Sequence, residues 1–239
     1  MPGYELIGAE EQAEIDDIFK HGGVLFRHSF DHLRQDRWKV RDFEREFAKS
    51  VGMPHALAVT SGTAALRVAL AVLDIKPGDE VITQSFTFVA TVEAIIEAGA
   101  IPVCAEIDGT LNIDPESLKS LITPKTKAVI AVHMLGTPAR LFEIDDICRK
   151  NNLTLIEDAA WGCGGSLDGR PLGTWGQMGT YSFDFAKIRA CSATLTGSPT
   201  PLPGSGAKTG TPTLSPTTCN WVTAFGRCRS DATKSGVLP

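Results

Sequence analysis

The chain has 239 residues, of which 43% are hydrophobic and 21% charged, which suits one large domain or a domain with an appendage. Its net charge of -5 and the absence of a basic tract give no support for nucleic-acid binding. No apolar run approaches a membrane span, no signal peptide is recognisable, and the six cysteines lack metal-site spacing, so we expect a cytoplasmic protein without membrane contact or a metal site.

The first 51 residues predict two amphipathic helices, over residues 8–21 and 39–51, with an irregular segment between them. From residue 56 onward, short apolar strands alternate with helices. The strands are predicted at residues 56–59, 80–83, 101–107, 128–132 and 153–156, with a further one from residue 179. Helices are predicted from about 61 to 73, over 87–98, from 114 and over 144–151. This alternation is typical of an α/β fold, a mostly parallel sheet with helices on both faces.

The composition changes after Lys187. Only one of the 28 acidic residues, Asp231, lies beyond it, and Ser, Thr, Pro and Gly dominate there. We find no helical or strand period in residues 188–239, so this segment is predicted to be disordered or poorly packed. The predicted organisation is therefore one folded domain over residues 1–187, followed by a tail at 188–239.

A phosphate-binding turn is predicted where Ser61, Gly62 and Thr63 follow a strand and open a helix. The N–H groups at a helix N-terminus and the helix dipole attract phosphate, and the two hydroxyls can add donors. A plain helix cap with a tight turn is the alternative for the same residues.

Three further side chains could line a pocket at the carboxyl edge of the sheet, where open α/β sheets bind ligands. Asp158 ends a buried strand and could pair with a cationic ring nitrogen, or it could be a helix cap or a solvated loop acid. His133 also ends a buried strand, and it could lie near a ring or be a hydrogen-bonded loop histidine. Phe88 could offer an aromatic face to a ring, or it could belong to the core.

Lys187 follows the alternating Tyr-Ser-Phe-Asp-Phe segment as a lone lysine. A lysine desolvated in an apolar domain loses its proton readily and becomes an amine nucleophile that forms Schiff bases, whereas a solvated surface lysine is the alternative. The phosphate turn, the aromatic face, the acid for a pyridinium nitrogen and the lysine are the four parts that a pyridoxal 5'-phosphate (PLP) site needs. Their combination predicts a PLP enzyme.

These residues stand in an ordered set of short segments. The segments are residues 61–66 (SGTAAL), 77–82 (PGDEVI), 87–91 (TFVAT), 122–128 (ITPKTKA), 132–136 (VHMLG), 157–160 (EDAA) and 182–187 (SFDFAK). Over about residues 1–187 the chain thereby resembles the DegT/DnrJ/StrS-type sugar aminotransferases, which have PLP fold type I. The resemblance implies a homodimer that transfers an amino group from an amino acid, glutamate, to a keto-sugar in amino-sugar or cell-surface polysaccharide biosynthesis.

By the same resemblance, Lys187 is the catalytic residue, which binds PLP covalently and then moves protons as general base and acid. Asp158 pairs with the pyridine nitrogen, and Phe88 stacks on the ring.

The resemblance also assigns the remaining contacts. Gly62, Thr63 and Ser182 bind the phosphate. Trp161 stands near the ring hydroxyl, where many relatives carry Gln or His; an indole donates one hydrogen bond and accepts none. His133 is the candidate substrate residue.

The N-terminal segments at residues 1–6, 30–32 and 36–39 are similar to a narrower group. That group includes 8-amino-3,8-dideoxy-manno-octulosonate transaminase, which aminates a keto-sugar acid for lipopolysaccharide. Arg27, Arg34 and Arg37 would suit an acidic sugar, and a solvated loop explains them equally well.

The resemblance ends at Lys187, where relatives continue with a Gly-rich turn, a strand and a C-terminal domain. We interpret residues 188–239 as out-of-frame translation of a longer aminotransferase, so we expect the C-terminal small domain to be missing and the dimer site to be incomplete. An inactive fragment is the alternative to an active aminotransferase. A sugar dehydratase of the same fold is disfavoured, because those relatives replace the lysine with histidine.

Overall fold

The computed structural model describes residues 8–184 and the backbone of residues 222–224. Its strands are β1 (Leu57–Val59), β2 (Glu80–Gln84), β3 (Ile101–Ala105), β4 (Thr126–Val132), β5 (Thr154–Asp158), β6 (Ser166–Leu167), β7 (Arg170–Pro171), β8 (Met178–Thr180) and β9 (Val222–Ala224). Its helices are α1 (Ala9–Lys20), α2 (Asp31–Arg34), α3 (Lys39–Ser50), α4 (Gly62–Val72), α5 (Val89–Glu97), α6 (Pro115–Ser120) and α7 (Leu141–Lys150), with a 3-10 turn at Met134–Gly136. Lys187 and the predicted tail, apart from the backbone of residues 222–224, lie outside the described residues.

Seven strands form one sheet in the order β3-β2-β4-β5-β8-β9-β1, and β6 pairs with β7 in a separate hairpin. The strands β2, β3, β4, β5 and β8 are mutually parallel, with Val132 opposite Asp158 and Asp158 opposite Thr180. β9 runs antiparallel to both of its neighbours, β1 and β8. The predicted mostly parallel sheet is confirmed, and its parallel strands end at a common edge.

Helices cover both faces of this sheet, as predicted. Val129 of β4 packs into a cluster with Leu118 of α6 and Ile144 of α7. The next residue, Ile130, packs into a cluster on the opposite face with Leu66 of α4. Because β4 is buried on both faces, it reads in the sequence as an unbroken apolar run rather than an alternating one.

The N-terminal helices pack against the end of the sheet where β8 finishes. Phe47 of α3 is fully buried and makes edge-to-face contacts with Tyr181 and Phe183, each with ring centroids 5.2 Å apart. Lys39 of α3 binds Glu14 (2.5 Å) and Asp17 (2.6 Å) of α1. The two predicted amphipathic helices are thus joined to each other and to the sheet. In the described part of the chain, no helix has the length and apolar character needed to cross a membrane.

The strand predicted from residue 179 is shorter than expected. β8 ends at Thr180, and residues 181–184 are irregular. The reason is that its parallel partner β5 ends at Asp158, directly opposite Thr180. The alternation in Tyr-Ser-Phe-Asp reflects packing of Tyr181 and Phe183 against α3, not further strand pairing.

Three other expectations are corrected by the structure. The four-residue helix α2 lies in the segment predicted to be irregular, and α7 begins at Leu141, three residues earlier than predicted. The sequence also predicted no strand after residue 187, whereas β9 completes the sheet between β1 and β8. A three-residue strand is too short to show a period in the sequence, so its place is set by the two strands that it joins.

Candidate functional site

A cavity of about 220 Å³ lies at the carboxyl edge of the sheet, where β4, β5 and β8 end. Its lining residues are Ser61, Gly62, Thr63, Leu66, Phe88, Ala90, Val132, Asp158, Ala160, Trp161, Thr180, Tyr181, Ser182 and Asp184. Seven of the residues selected from the sequence are among them: Ser61, Gly62, Thr63, Phe88, Asp158, Trp161 and Ser182. The structure therefore brings together side chains from four separate segments of the chain.

One end of the cavity is the N-terminus of α4. Ser61 is the N-cap residue, and its Oγ accepts a hydrogen bond from the Ala64 N–H at 3.0 Å. The hydroxyl of Ser61 still has its own proton to donate. The N–H groups of Gly62 and Thr63 belong to the first turn, where a helix offers no internal acceptor. The cap and the phosphate-binding arrangement, considered as alternatives in the sequence, are therefore compatible.

Gly62 and Ser182 face each other across this end of the cavity. A Cβ at position 62 would lie 3.5 Å from the Ser182 Cβ and 3.8 Å from its Oγ, which is ordinary contact distance. The glycine keeps this space open without any backbone requirement for positive φ. A small anion placed here would meet the helix N-terminus and the Ser182 hydroxyl together.

Asp158 forms the floor of the cavity. The residue is 6% exposed, its Oδ2 accepts from the Thr91 hydroxyl at 3.0 Å, and its Oδ1 accepts from the Ala160 N–H at 3.1 Å. Two donors of different elements thus fix the plane of the carboxylate. An ionised carboxylate has about four acceptor positions, so this one can also accept a donor from a ligand.

Aromatic side chains flank Asp158. Phe88 precedes α5 and is 60% exposed, so the alternative that it belongs to the core is wrong. Trp161 lies in the turn after β5 and is half-buried. Both line the same cavity as the carboxylate, and they offer apolar faces for a planar ring.

His133 is not among the residues that line the cavity, and of the two alternatives considered for it the structure shows the hydrogen-bonded histidine. It is fully buried, its Nε2 lies 2.9 Å from the Glu157 Oε2, and its Nδ1 accepts from the Ala139 N–H at 3.2 Å. A ring nitrogen that accepts carries no proton, so the imidazole is neutral and its Nε2–H donates to Glu157. The chain turns after β4, and the imidazole thereby faces a buried carboxylate instead of the pocket.

Glu157 is the residue that sequence reasoning missed. It is fully buried, and besides His133 it accepts from the backbone N–H groups of Gly173 (2.8 Å), Trp175 (2.5 Å) and Gly176 (2.7 Å). A usable signal existed: two adjacent acids at the end of a buried strand point to opposite faces, so one of them had to be paired inside the protein.

Tyr181 lines the cavity but is nine-tenths or more buried. Its hydroxyl donates to the Leu172 carbonyl at 2.5 Å. Burial raises the pKa of Tyr181 well above its usual value, with Cys163 and Glu157 adding to the effect. The phenol therefore stays protonated at neutral pH and serves as a structural donor.

The three arginines considered for an acidic sugar are bound to the protein itself. Arg27 pairs with Glu44 at 2.5 Å, and Arg37 lies 3.6 Å from Asp17. Arg34 is buried, and its guanidinium binds backbone carbonyls of the preceding loop, including that of Ser29 at 2.7 Å. None of them lines the cavity.

The fold and the cavity define an α/β protein that can hold a phosphate-bearing aromatic ring at the carboxyl edge of its sheet. The chain belongs to the DegT/DnrJ/EryC1/StrS aminotransferase family, which it matches over residues 29–193. Aminotransferases of this family depend on PLP.

Characterised relatives and solved structures support this membership. GDP-perosamine synthase of Vibrio cholerae is 38% identical over 185 residues, which cover 77% of this chain and 48% of the relative. The spore coat polysaccharide biosynthesis protein SpsC of Bacillus subtilis is 41% identical over 179 residues, covering 74% and 43%. An aminotransferase structure from Psychrobacter cryohalolentis has a TM-score of 0.74 at 29% identity, covering 92% of this chain and 47% of that one. The chain spans about half the length of these relatives.

Proposed function

We propose that this chain forms the PLP-binding domain of an aminotransferase that transfers an amino group from an amino acid, glutamate, to a keto-sugar. The observation that carries the proposal is the convergence of seven predicted cofactor residues on one cavity. Two of the relatives act, by their names, in making an amino-sugar nucleotide and a spore coat polysaccharide. We extend that class of substrate to this chain, together with a cytoplasmic homodimer that serves surface-polysaccharide biosynthesis.

The donor set fits the cofactor. The α4 N-terminus with Ser61 and Ser182 offers N–H and O–H donors for a phosphate, and Asp158 offers an anionic acceptor for a ring nitrogen. The cavity is smaller than the roughly 300–1,000 Å³ of sites for drug-sized ligands, which suits one ring with one phosphate.

Chain connectivity supports a role for Lys187. It follows Asp184, a residue of the cavity wall, by three positions. Its side chain is the predicted nucleophile for the cofactor.

When bound, PLP would supply an electron sink next to the amino group that is transferred. The protein's part is to hold, orient and move protons. Asp158 stabilises positive charge at the ring nitrogen, because a buried anion favours a protonated partner nearby. The N-terminus of α4 anchors the phosphate, and Phe88 with Trp161 limits rotation of the ring. The Lys187 amine then acts as the proton carrier, as general base and general acid.

The test is an absorbance titration of the purified 239-residue chain with PLP. We expect a visible absorbance band from covalently bound cofactor. After borohydride reduction, the cofactor should remain attached and appear as a mass increase at Lys187. Lys187→Ala should abolish both signals, whereas Lys76→Ala, at an exposed lysine paired with Asp74, should leave them unchanged.

Activity is measured separately as formation of 2-oxoglutarate from glutamate by the PLP-loaded chain. A wild-type chain that binds PLP without this half-reaction would support the inactive-fragment alternative. A wild-type chain that neither binds PLP nor is labelled at Lys187 would exclude the proposed site.

A further inference from the structure

The hydroxyl of Thr91 contacts the carboxylate of Asp158 inside the protein. Thr91 is fully buried in the first turn of α5, and its Oγ1 lies 3.0 Å from the Asp158 Oδ2. The two residues are 67 positions apart in the sequence, so this contact joins α5 to the end of β5. Thr91 is not among the described residues that line the cavity, and its hydroxyl contacts the site at Asp158.

A second threonine sets the direction of this hydrogen bond. The Thr87 Oγ1 lies 3.0 Å from the Thr91 Oγ1. An ionised carboxylate only accepts, so Thr91 donates its single proton to Asp158 and its oxygen accepts from Thr87. The result is a directional chain from Thr87 through Thr91 to Oδ2, and such chains polarise each bond in turn.

The same turn of backbone also holds Phe88, an aromatic residue of the cavity. Phe88 lies between the two threonines in sequence, and the Thr91 N–H donates to the Phe88 carbonyl at 3.1 Å. The position of the carboxylate is therefore tied to the position of the exposed ring of Phe88 through one turn of backbone.

We propose that Thr91 is a positioning residue that acts through Asp158: its hydroxyl holds Oδ2 so that the carboxylate meets a protonated ring nitrogen. This proposal rests on the proposed PLP function and names a residue that the cavity lining does not reveal. A hydrogen bond donated to a carboxylate stabilises its charged form. Thr91 therefore keeps the proton of the pair on the ligand's ring nitrogen rather than on Asp158.

The experiment compares PLP with an analogue in which a carbon atom replaces the ring nitrogen. In Thr91→Val the side-chain volume is kept and only the hydroxyl is lost, so we expect the dissociation constant for PLP to rise about tenfold or more. Binding of the analogue should change by less than about threefold, because it has no ring nitrogen for Asp158 to meet. Thr91→Ser restores the hydroxyl and should restore PLP affinity.

Thr83→Val is the matched control. Thr83 is another fully buried threonine, and its hydroxyl donates to the Ile130 carbonyl at 3.0 Å, away from the cavity. The Thr83→Val variant should lose about as much thermal stability as Thr91→Val but should keep its affinity for PLP.

The outcomes separate the two proposals. If the wild type binds PLP and Thr91→Val weakens PLP and analogue equally, Thr91 has only a structural role and the inference is wrong. Unchanged PLP affinity in Thr91→Val would also refute it, with the proposed function intact. If the wild type itself fails to bind PLP, the proposed function fails and the inference falls with it.

Discussion

His133 and Glu157 form a hydrogen-bonded pair in the interior, with 2.9 Å between the Nε2 of the imidazole and the Oε2 of the carboxylate. Both side chains are fully buried, and the imidazole is neutral because its Nδ1 accepts from the backbone. Successive residues of a strand point to opposite faces, so Glu157 and the cavity residue Asp158 use the two sides of β5. The buried pair therefore fixes the strand end that carries Asp158.

Glu157→Gln should be strongly destabilising. Glutamine has one acceptor oxygen and a donor amide, so it cannot satisfy the four donors that converge on the carboxylate. Each buried donor left without an acceptor costs about 1–3 kcal/mol, which urea unfolding can measure. Glu93→Gln, at an exposed acid of α5, should change the free energy of unfolding by less than about 0.5 kcal/mol. Similar stabilities for the two variants would contradict the importance of the pair.

Gly173→Ala tests the loop that binds Glu157. Gly173 has φ +85°, and a Cβ there would meet the Tyr181 ring, with 3.0 Å to its Cε2. Its N–H donates to Glu157, so the backbone cannot move away without breaking a buried bond. Gly169→Ala is the matched control, because Gly169 has φ +75° but a Cβ there would meet no atom within 4 Å beyond its chain neighbours.

We expect Gly169→Ala to cost about 1–2 kcal/mol from backbone strain alone, since a side chain at positive φ is unfavourable. Gly173→Ala should cost at least twice as much, or prevent folding. Thermal unfolding of both variants measures the difference. Equal losses would mean that Tyr181 can give way and that the contact does not constrain the loop.

Much of the fold was predictable because buried strands and helices have recognisable patterns of apolar residues. The apolar run at Ala128 to Val132 predicted a strand covered on both faces, and both covering clusters are present. Five cavity residues, Ser61, Gly62, Thr63, Phe88 and Asp158, were predictable from helix starts and strand ends, whereas Trp161 and Ser182 came from the family resemblance. The prediction of a PLP site was specific because the short segments occur together in a fixed order, not because of any single residue.

The remaining features depend on contacts that no local pattern encodes. His133 was assigned to the pocket because it ends a strand, but the turn after β4 directs its ring toward Glu157. The strand β9 has three residues and is held by pairing to Leu57–Val59 and Thr180, which the sequence alone does not show. Thr91 looked like an ordinary helix residue, because its partner Asp158 lies far away in the sequence.

The pair of Asp17 and Lys39 should make stability depend on pH. The hydrogen bond from Lys39 lowers the pKa of the Asp17 carboxyl, against the opposing effect of burial. Burial acts to lower the pKa of Lys39, but hydrogen bonds to Asp17 and Glu14 outweigh it and raise that pKa. The stabilisation is therefore complete between the unfolded-state pKa values of the two groups; it is lost as pH falls through the lowered pKa of Asp17 and lost again as pH rises through the raised pKa of Lys39.

Asp17→Asn measures this contribution. The difference in unfolding free energy from the wild type should be about 1 kcal/mol or less at neutral pH, as for other partly exposed ion pairs. It should be constant around neutrality and vanish at acid pH, where Asp17 is protonated. Asp42→Asn removes the exposed pair of Asp42 and Arg45 on α3 and should show a smaller difference. If the difference in unfolding free energy between Asp17→Asn and the wild type instead grew as the pH fell, the pKa of Asp17 would not be lowered by folding.

Cysteine labelling should distinguish two positions of the described fold. Cys104 of β3 is exposed, whereas Cys148 of α7 is buried, and burial raises the pKa of the Cys148 thiol to about 12. At pH 8 only about one Cys148 in ten thousand is then a thiolate, the form that reacts. Peptide mass spectrometry after brief iodoacetamide treatment should find Cys104 modified and Cys148 intact, with both modified in concentrated urea. Equal labelling of the native protein would show that α7 opens readily.

The last prediction separates the capping role of Ser61 from its role at the cavity. Asp114 caps α6 as Ser61 caps α4, accepting from the N–H groups of Glu116 (3.4 Å) and Ser117 (3.3 Å), but it does not line the cavity. Ser61→Ala and Asp114→Ala should therefore each cost about 1 kcal/mol of stability in urea unfolding.

Only Ser61→Ala should also weaken PLP binding, by about tenfold, because its hydroxyl is placed to donate to the phosphate. Its affinity for pyridoxal, which lacks the phosphate, should stay within about threefold of the wild type. Asp114→Ala should leave both affinities unchanged. If Ser61→Ala weakened pyridoxal and PLP alike, the loss would come from a frayed α4, and the phosphate would have to bind elsewhere in the cavity.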